Sequence, residues 1–213
     1  MLYVRFPLSL RNVEDLLHER GIEVSHESGR FWWHRFGPMF ASDIKKRRIA
    51  GMCSSKWRWY LDEMFMKING ERHYLWRAFF HEGEVLESYV TKKRDKNAAL
   101  KFLRKAMRKH GRPEVIVTDR FRSYGAAMKV IGNADRQQMG RWLNNRAENS
   151  HLPFRRRERA MLRFRRMRSL QKFVSVHSSA CDHAKKERHL YSRDNFKLNR
   201  TAALAELVPL DAA

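Results

Sequence analysis

Apolar residues recur at helical spacing over residues 8–20, at Leu10, Val13, Leu16 and Leu17, and Gly21 predicts the stop. Ser25 is a candidate cap for a second helix through Trp32, Trp33 and Phe36 to Gly37-Pro38. Helix, Gly-containing turn, helix is the outline of a helix-turn-helix, and also of a plain packed helical hairpin. Residues 42–56 read as a basic linker. Beyond them the texture becomes strand-like over 57–68, 72–81 and 84–91, rich in Trp, Tyr, Phe, Val and Ile. Asn69-Gly70, the strongest short hairpin signal, separates the first two runs, and His81 to Gly83 the next two. A helix is predicted over 96–110, with Ala98, Ala99, Phe102, Leu103 and Met107 on one face. The apolar run 114–118 reads as a buried strand, followed by a helix over 123–131. From about Asn144 the chain reads as mostly helical, with Met161, Phe164, Met167, Leu170 and Phe173 or Val174 as an apolar stripe. The tail from Arg193 is weakly patterned. The expected class is α/β, a mixed sheet flanked by helices.

Charge narrows the function. Against 23 Asp+Glu stand 45 Lys+Arg, a net charge of +22 in 213 residues. Such a surplus repels itself in a compact fold and points to a polyanionic partner, nucleic acid first. A hydrophobic content of 43% with six Trp excludes a disordered basic tail. Two cysteines, Cys53 and Cys181, are too few for a disulfide framework and fit a reducing setting. The absence of a membrane-length apolar run or a signal peptide leads to the expectation of a soluble, cytoplasmic protein. His177, Cys181, His183 and His189 gather in sequence, but their spacing matches no zinc finger pattern.

Three carboxylates stand where carboxylates do not belong. The run 57–68 is apolar on both faces, with Trp57, Trp59, Leu61 and Phe65 on one and Tyr60, Met64, Met66 and Ile68 on the other. Asp62 sits in its middle, where a lone carboxylate is strongly disfavoured. A metal would compensate it, as would a salt bridge to Arg58 or Lys67. Glu63 faces the opposite side, so the two are not expected to share one site without a backbone distortion. Asp119 ends the buried strand, where ligands of open α/β sheets gather, although a turn or N-cap role also fits. Two acids brought together by a sheet call for a cation, and oxygen-only ligands favour Mg2+ or Mn2+. Glu148 follows Asn145 at capping-box spacing, so a cap and a metal ligand stay equally open for it.

Four stretches then carry a resemblance: FPLSLRNVEDLLHERGIEVSHES, SSKWRWYLDEMFMKINGERHYLWRA, VIVTDRFRSYGAA and LNNRAENSHLPFRRRERAM. In this order they resemble a bacterial insertion-sequence transposase of family six. The resemblance implies an RNase H-like core with a DDE triad, Asp62 in WYLDE, Asp119 in VTDRF and Glu148 in NRAEN. It further implies residues 1–41 as a partial helix-turn-helix segment, 42–56 as linker, 57–192 as catalytic domain and 193–213 as tail. Relatives of this type carry a further helix ahead of the first match, so an N-terminally truncated copy is expected. Ser28-Gly29, Tyr60 and Leu152 depart from the expected pattern without touching the triad.

The resemblance implies cleavage at the element's ends and strand transfer to target DNA, with two Mg2+ ions, Mn2+ as a substitute, and no covalent protein intermediate. It implies double-stranded DNA as partner, a homodimer or larger assembly joining two ends, and a bacterial, nucleoid-associated location. Arg30 and Arg35 are candidate contacts of a recognition helix. Arg155, Arg156, Arg157, Arg159, Arg163 and Arg166 are candidate phosphate contacts, a solvated amphipathic helix being the alternative. Two other functions share these features: a catalytically idle, DNA-binding remnant, and a nuclease that cuts without joining.

Overall fold

The structure, a computed structural model, describes residues 2–51, 58–80, 83–119, 122–140, 147, 150–161, 164–184 and 192–205. The chain divides into two compact units, Met1–Arg48 with Val176–Ala213, and Ile49–Ser175.

The central unit is a five-stranded mixed sheet flanked by helices. Its strands are β1 (Arg58–Ile68), β2 (Glu71–Phe79), β3 (Val85–Thr91), β4 (Val115–Thr118) and β5 (Gln137–Met139), in the order β3-β2-β1-β4-β5. β1, β2 and β3 pair antiparallel, while β4 and β5 continue the sheet in parallel from β1. This is the RNase H-like arrangement. β5 follows a turn of 3-10 helix, and its three polar-rich residues gave no strand signal. The first hairpin closes with Asn69 at φ 51° and Gly70 at φ 87°, the paired positive angles of a two-residue type I′ turn. Ile68 therefore faces Glu71, and every pair up to Tyr60 and Phe79 follows from that closure.

One face of the sheet packs Trp59, Leu61, Trp76 and Ile116 against α4 (Lys96–His110) and α5 (Arg122–Ile131). Asp95 caps α4, its side chain accepting the Ala98 N–H at 2.8 Å. The other face packs Tyr60, Phe79, Val85, Val117 and Ala147. Burial on both faces is what the apolar run predicted, with Trp57 outside the described residues, except at Phe65. That ring is 53% exposed, because the apolar cluster under α4 and α5 reaches only Leu61; Arg72 and Arg155 lie over it instead.

The apolar stripe from Met161 to Val174 is not one helix. The next helix, α6 (Leu152–Ala160), ends with Met161 in an extended conformation, and Phe164 bridges to Ile68 before α7 (Met167–Ala184) begins. Phe154, Phe164 and Phe173 stack together across this break, and their burial replaces the missing helical turns. Gln171 completes the edge of β3, accepting the Val90 N–H at 2.9 Å and donating to the Ser88 carbonyl at 3.0 Å.

The other unit contains α1 (Leu2–Arg5), α2 (Leu10–His18), α3 (His26–Gly51) as far as Arg48, the end of α7 from Val176, and α8 (Arg193–Ala205). Ser9 and Asn12 form a capping box on α2. Gly21, at φ 72°, turns the chain toward α3, and His26 meets Glu14 at 2.7 Å. Two corrections follow. α3 does not stop at Gly37-Pro38, and the expected linker is helical as far as Gly51. A proline inside a helix costs roughly 3 kcal/mol. Burial of Ala41 and Ile44 beyond it, with Ala41 against Val4, Val176 and Ala180, offsets that cost. Within the tail, residues 193–205 are helical. Among the described residues, no helix is long and apolar enough to cross a membrane.

Candidate active site

The sheet brings acids together at the open edge of β1. β4 pairs with β1 only as far as Tyr60 and Val117, so Asp119 leaves the sheet where β1 passes Asp62. Asp62, Glu63 and Asp119 each present a carboxylate oxygen, all within 4.8 Å of one another. Glu63 in this cluster corrects the expectation that alternation would keep it apart. What separates the two faces of a sheet is its backbone, and past the end of β4 no neighbouring strand blocks the way round. Asp62 also leans along its own strand, its Oδ1 accepting the Glu63 N–H at 3.0 Å.

The three carboxyls differ in surroundings. The Asp119 side chain is 39% exposed, Asp62 13% and Glu63 2%, so the cluster opens to solvent on the Asp119 side. Burial, followed by the repulsion of Asp119, pushes the Glu63 pKa up to about 7, against the pull of Arg94 and Tyr124. Arg94 pairs with Glu63 and lies 3.9 Å from Asp119. The fully buried Tyr124 phenol sits against Glu63, and burial and the nearby acids hold its pKa well above the usual range. It therefore stays a neutral donor beside the acids.

Asp62 has a partner other than those the strand pattern offered. Its Oδ2 meets His151 Nε2 at 2.9 Å, rather than Arg58 or Lys67, the salt-bridge alternative. Burial lowers the His151 pKa, reinforced by Arg77 and opposed by Asp62. Arg77, 2% exposed, stands opposite Asp62 in the β1–β2 register. That pairing was available from Asn69-Gly70, since a two-residue turn there sets residue 62 against residue 77. Arg94 and His151 carried no comparable signal, because one lies on the loop after β3 and the other before α6.

Glu148 and Arg163 lie outside the described residues. Beside Glu148 in sequence, Ala147 is buried against Tyr60, Phe79 and Val117. Of the other candidate basic residues, Arg30, Arg35, Arg156, Arg159 and Arg166 are exposed. Arg155 is half-buried, donating to the Phe65 carbonyl at 3.0 Å and pairing with Glu158 at 2.7 Å. Arg157 departs from expectation: it is 2% exposed, with its guanidinium over the Phe173 ring, and presents nothing to a phosphate. Cys181 and His177 approach to 3.5 Å on α7, and His189 lies outside the described residues. Among the described residues, the acidic cluster alone gathers three metal-ligating side chains. Its donor set, oxygen only and charged beyond what Arg94 neutralises, fits a hard divalent cation.

A family model described as "DDE domain" (DDE_Tnp_IS240) matches residues 56–187. The chain is 30% identical over 154 residues to the Staphylococcus aureus "Transposase for insertion sequence-like element IS431mec", covering 70% of this chain and 67% of that one. It is likewise 30% identical over 154 residues, with the same 70% and 67% shares, to the Staphylococcus aureus "Transposase for insertion sequence element IS257 in transposon Tn4003". Among solved structures it is similar to the Mos1 transposase catalytic domain with Raltegravir and Mg, at a TM-score of 0.43 and 12% identity, covering 78% of this chain and 92% of that one.

Proposed function

Because the chain belongs to the DDE-domain transposases of bacterial insertion sequences, we propose that it cuts element ends and joins them to target DNA with Asp62, Asp119 and Glu148 as its acidic triad. The observation that carries this reading is the convergence of Asp62 and Asp119 at one open sheet edge, with Glu63 beside them. Asp62 and Asp119 offer oxygen ligands from β1 and from the end of β4, and Glu148 is assigned the third place by its NRAEN motif. Two divalent ions held there, Mg2+ or Mn2+, supply activation of a water or DNA 3′-hydroxyl and stabilisation of the leaving oxygen. Arg94 neutralises part of the acidic charge without closing the solvent side at Asp119.

The exposed Arg156, Arg159 and Arg166 hold double-stranded DNA through its phosphates, and Arg30 and Arg35 on α3 contribute the end-binding surface. Two DNA ends must be held at once, which favours a dimer or larger assembly acting on nucleoid DNA in the bacterial cytoplasm. The test is strand transfer by purified protein with Mg2+ and DNA bearing the element ends, beside Asp119→Ala. Joined products that vanish in the variant support the triad. Cut but unjoined ends would make the chain a nuclease. Specific binding with no metal-dependent product from either protein would make it a DNA-binding remnant.

A further inference from the structure

We infer that Arg77 and His151 form a positioning relay that fixes the Asp62 carboxylate, an inference resting on the assignment of Asp62 as a metal ligand above. Arg77 is buried under the acidic edge, its guanidinium 4.8 Å from the centre of the Phe79 ring. Its Nη1 donates to the Ser150 carbonyl at 3.2 Å and meets His151 Nδ1 at 3.3 Å. A guanidinium has donors and no acceptor, so His151 Nδ1 must be the accepting nitrogen. The single proton of the neutral ring then sits on Nε2, which faces Asp62 Oδ2 at 2.9 Å. Were the ring reversed, two acceptors would oppose each other at that distance.

Phe79 packs edge-on to the imidazole, with centroids 5.4 Å apart at 78°, and holds its plane. Asp62 thus receives one N–H on each oxygen, from His151 on Oδ2 and from the Glu63 backbone on Oδ1. Both contacts orient its remaining lone pairs. Arg77 also holds the carbonyl of Ser150, so one side chain ties β2 to the residues that follow Glu148 in sequence. His151 is in this arrangement a donor to a ligand, not itself a ligand or a base. Outer partners of this kind set the geometry and basicity of the group they touch.

The first test is 15N NMR of the histidine rings in the metal-free full chain. The relay requires an unprotonated Nδ1 and a protonated Nε2 at His151; a proton on Nδ1 would overturn it, whether or not any variant folds. The second is Mn2+ binding without DNA, read from the EPR signal of free Mn2+. His151→Leu is expected to weaken binding about tenfold or more. His151→Gln, whose amide still donates, recovers part of that loss. Arg77→Met, which has no donor, weakens binding in the same direction and frees the His151 tautomer. If Asp62→Asn abolishes binding while His151→Leu stays within twofold of the parent protein, the relay is wrong and the metal assignment stands. If Asp62→Asn leaves binding unchanged, the metal assignment fails and takes the relay with it.

Discussion

Replacing Glu63 by glutamine tests whether burial or ion pairing governs the acidic edge. In the folded chain the Glu63 pKa rises from 4.5 to about 7, mainly through burial. Between those values the native state holds a proton that the unfolded chain has released. Stability should therefore be highest below pH 4.5 as far as this group is concerned, and fall as the pH rises toward 7. Above that, an ionised Glu63 costs roughly 3 kcal/mol relative to its protonated form. The amide of Glu63→Gln has the same shape and no charge to bury. Its lost pair with Arg94 is already contained in that figure, because the Arg94 pull opposes the rise to about 7. The net expectation is a variant more stable than the parent by roughly 3 kcal/mol at pH 8, with little difference at pH 4.5. Urea denaturation followed by the fluorescence of the buried Trp59 and Trp76 reads this directly. A less stable variant at pH 8 would mean that the Arg94 pair outweighs burial. An unchanged pH slope would mean that Glu63 does not titrate in this window.

The arginines after the acidic edge should separate by exposure. Arg156→Ala and Arg159→Ala are expected to weaken DNA binding at all sequences, each reducing the salt slope of log K by about one, with little change in melting temperature. Arg157→Ala should instead lower the melting temperature and leave that slope unchanged; fluorescence anisotropy across a salt series beside a thermal melt distinguishes them. Gly70→Val puts a β-branched residue at φ 87° in the first hairpin and is expected to cost roughly 1–2 kcal/mol. Its effect should appear in urea midpoints, and a neutral result would show that the hairpin tolerates another turn type.

Much of this molecule was local enough to read along the chain. The helix over 96–110 was legible from its apolar stripe, and the folded helix has those bounds, with Asp95 as the cap and Gly111 after it that the structure adds. Asn69-Gly70 determined the hairpin and its register, because few residue pairs accept two positive φ angles in succession. Asp62 and Asp119 stood out because a carboxylate in or at the end of an apolar strand needs a cation nearby. The family was legible in four motifs taken in order, whereas Glu148 by its local pattern fitted a helix cap as well as a ligand. What the tertiary structure decided depends on which surfaces meet. Alternation put Glu63 on the wrong side of β1, and only the early end of β4 lets it reach Asp62 and Asp119. Pro38 reads as a helix end until burial beyond it outweighs the lost hydrogen bond. In a run of arginines that look equivalent, packing alone sends Arg157 against Phe173, and Arg156 and Arg159 to solvent. His151 meets Asp62 across 89 positions of sequence. Propensity and periodicity act over a few residues, whereas a site assembled from β1, β4 and the start of α6 exists only once the sheet has closed.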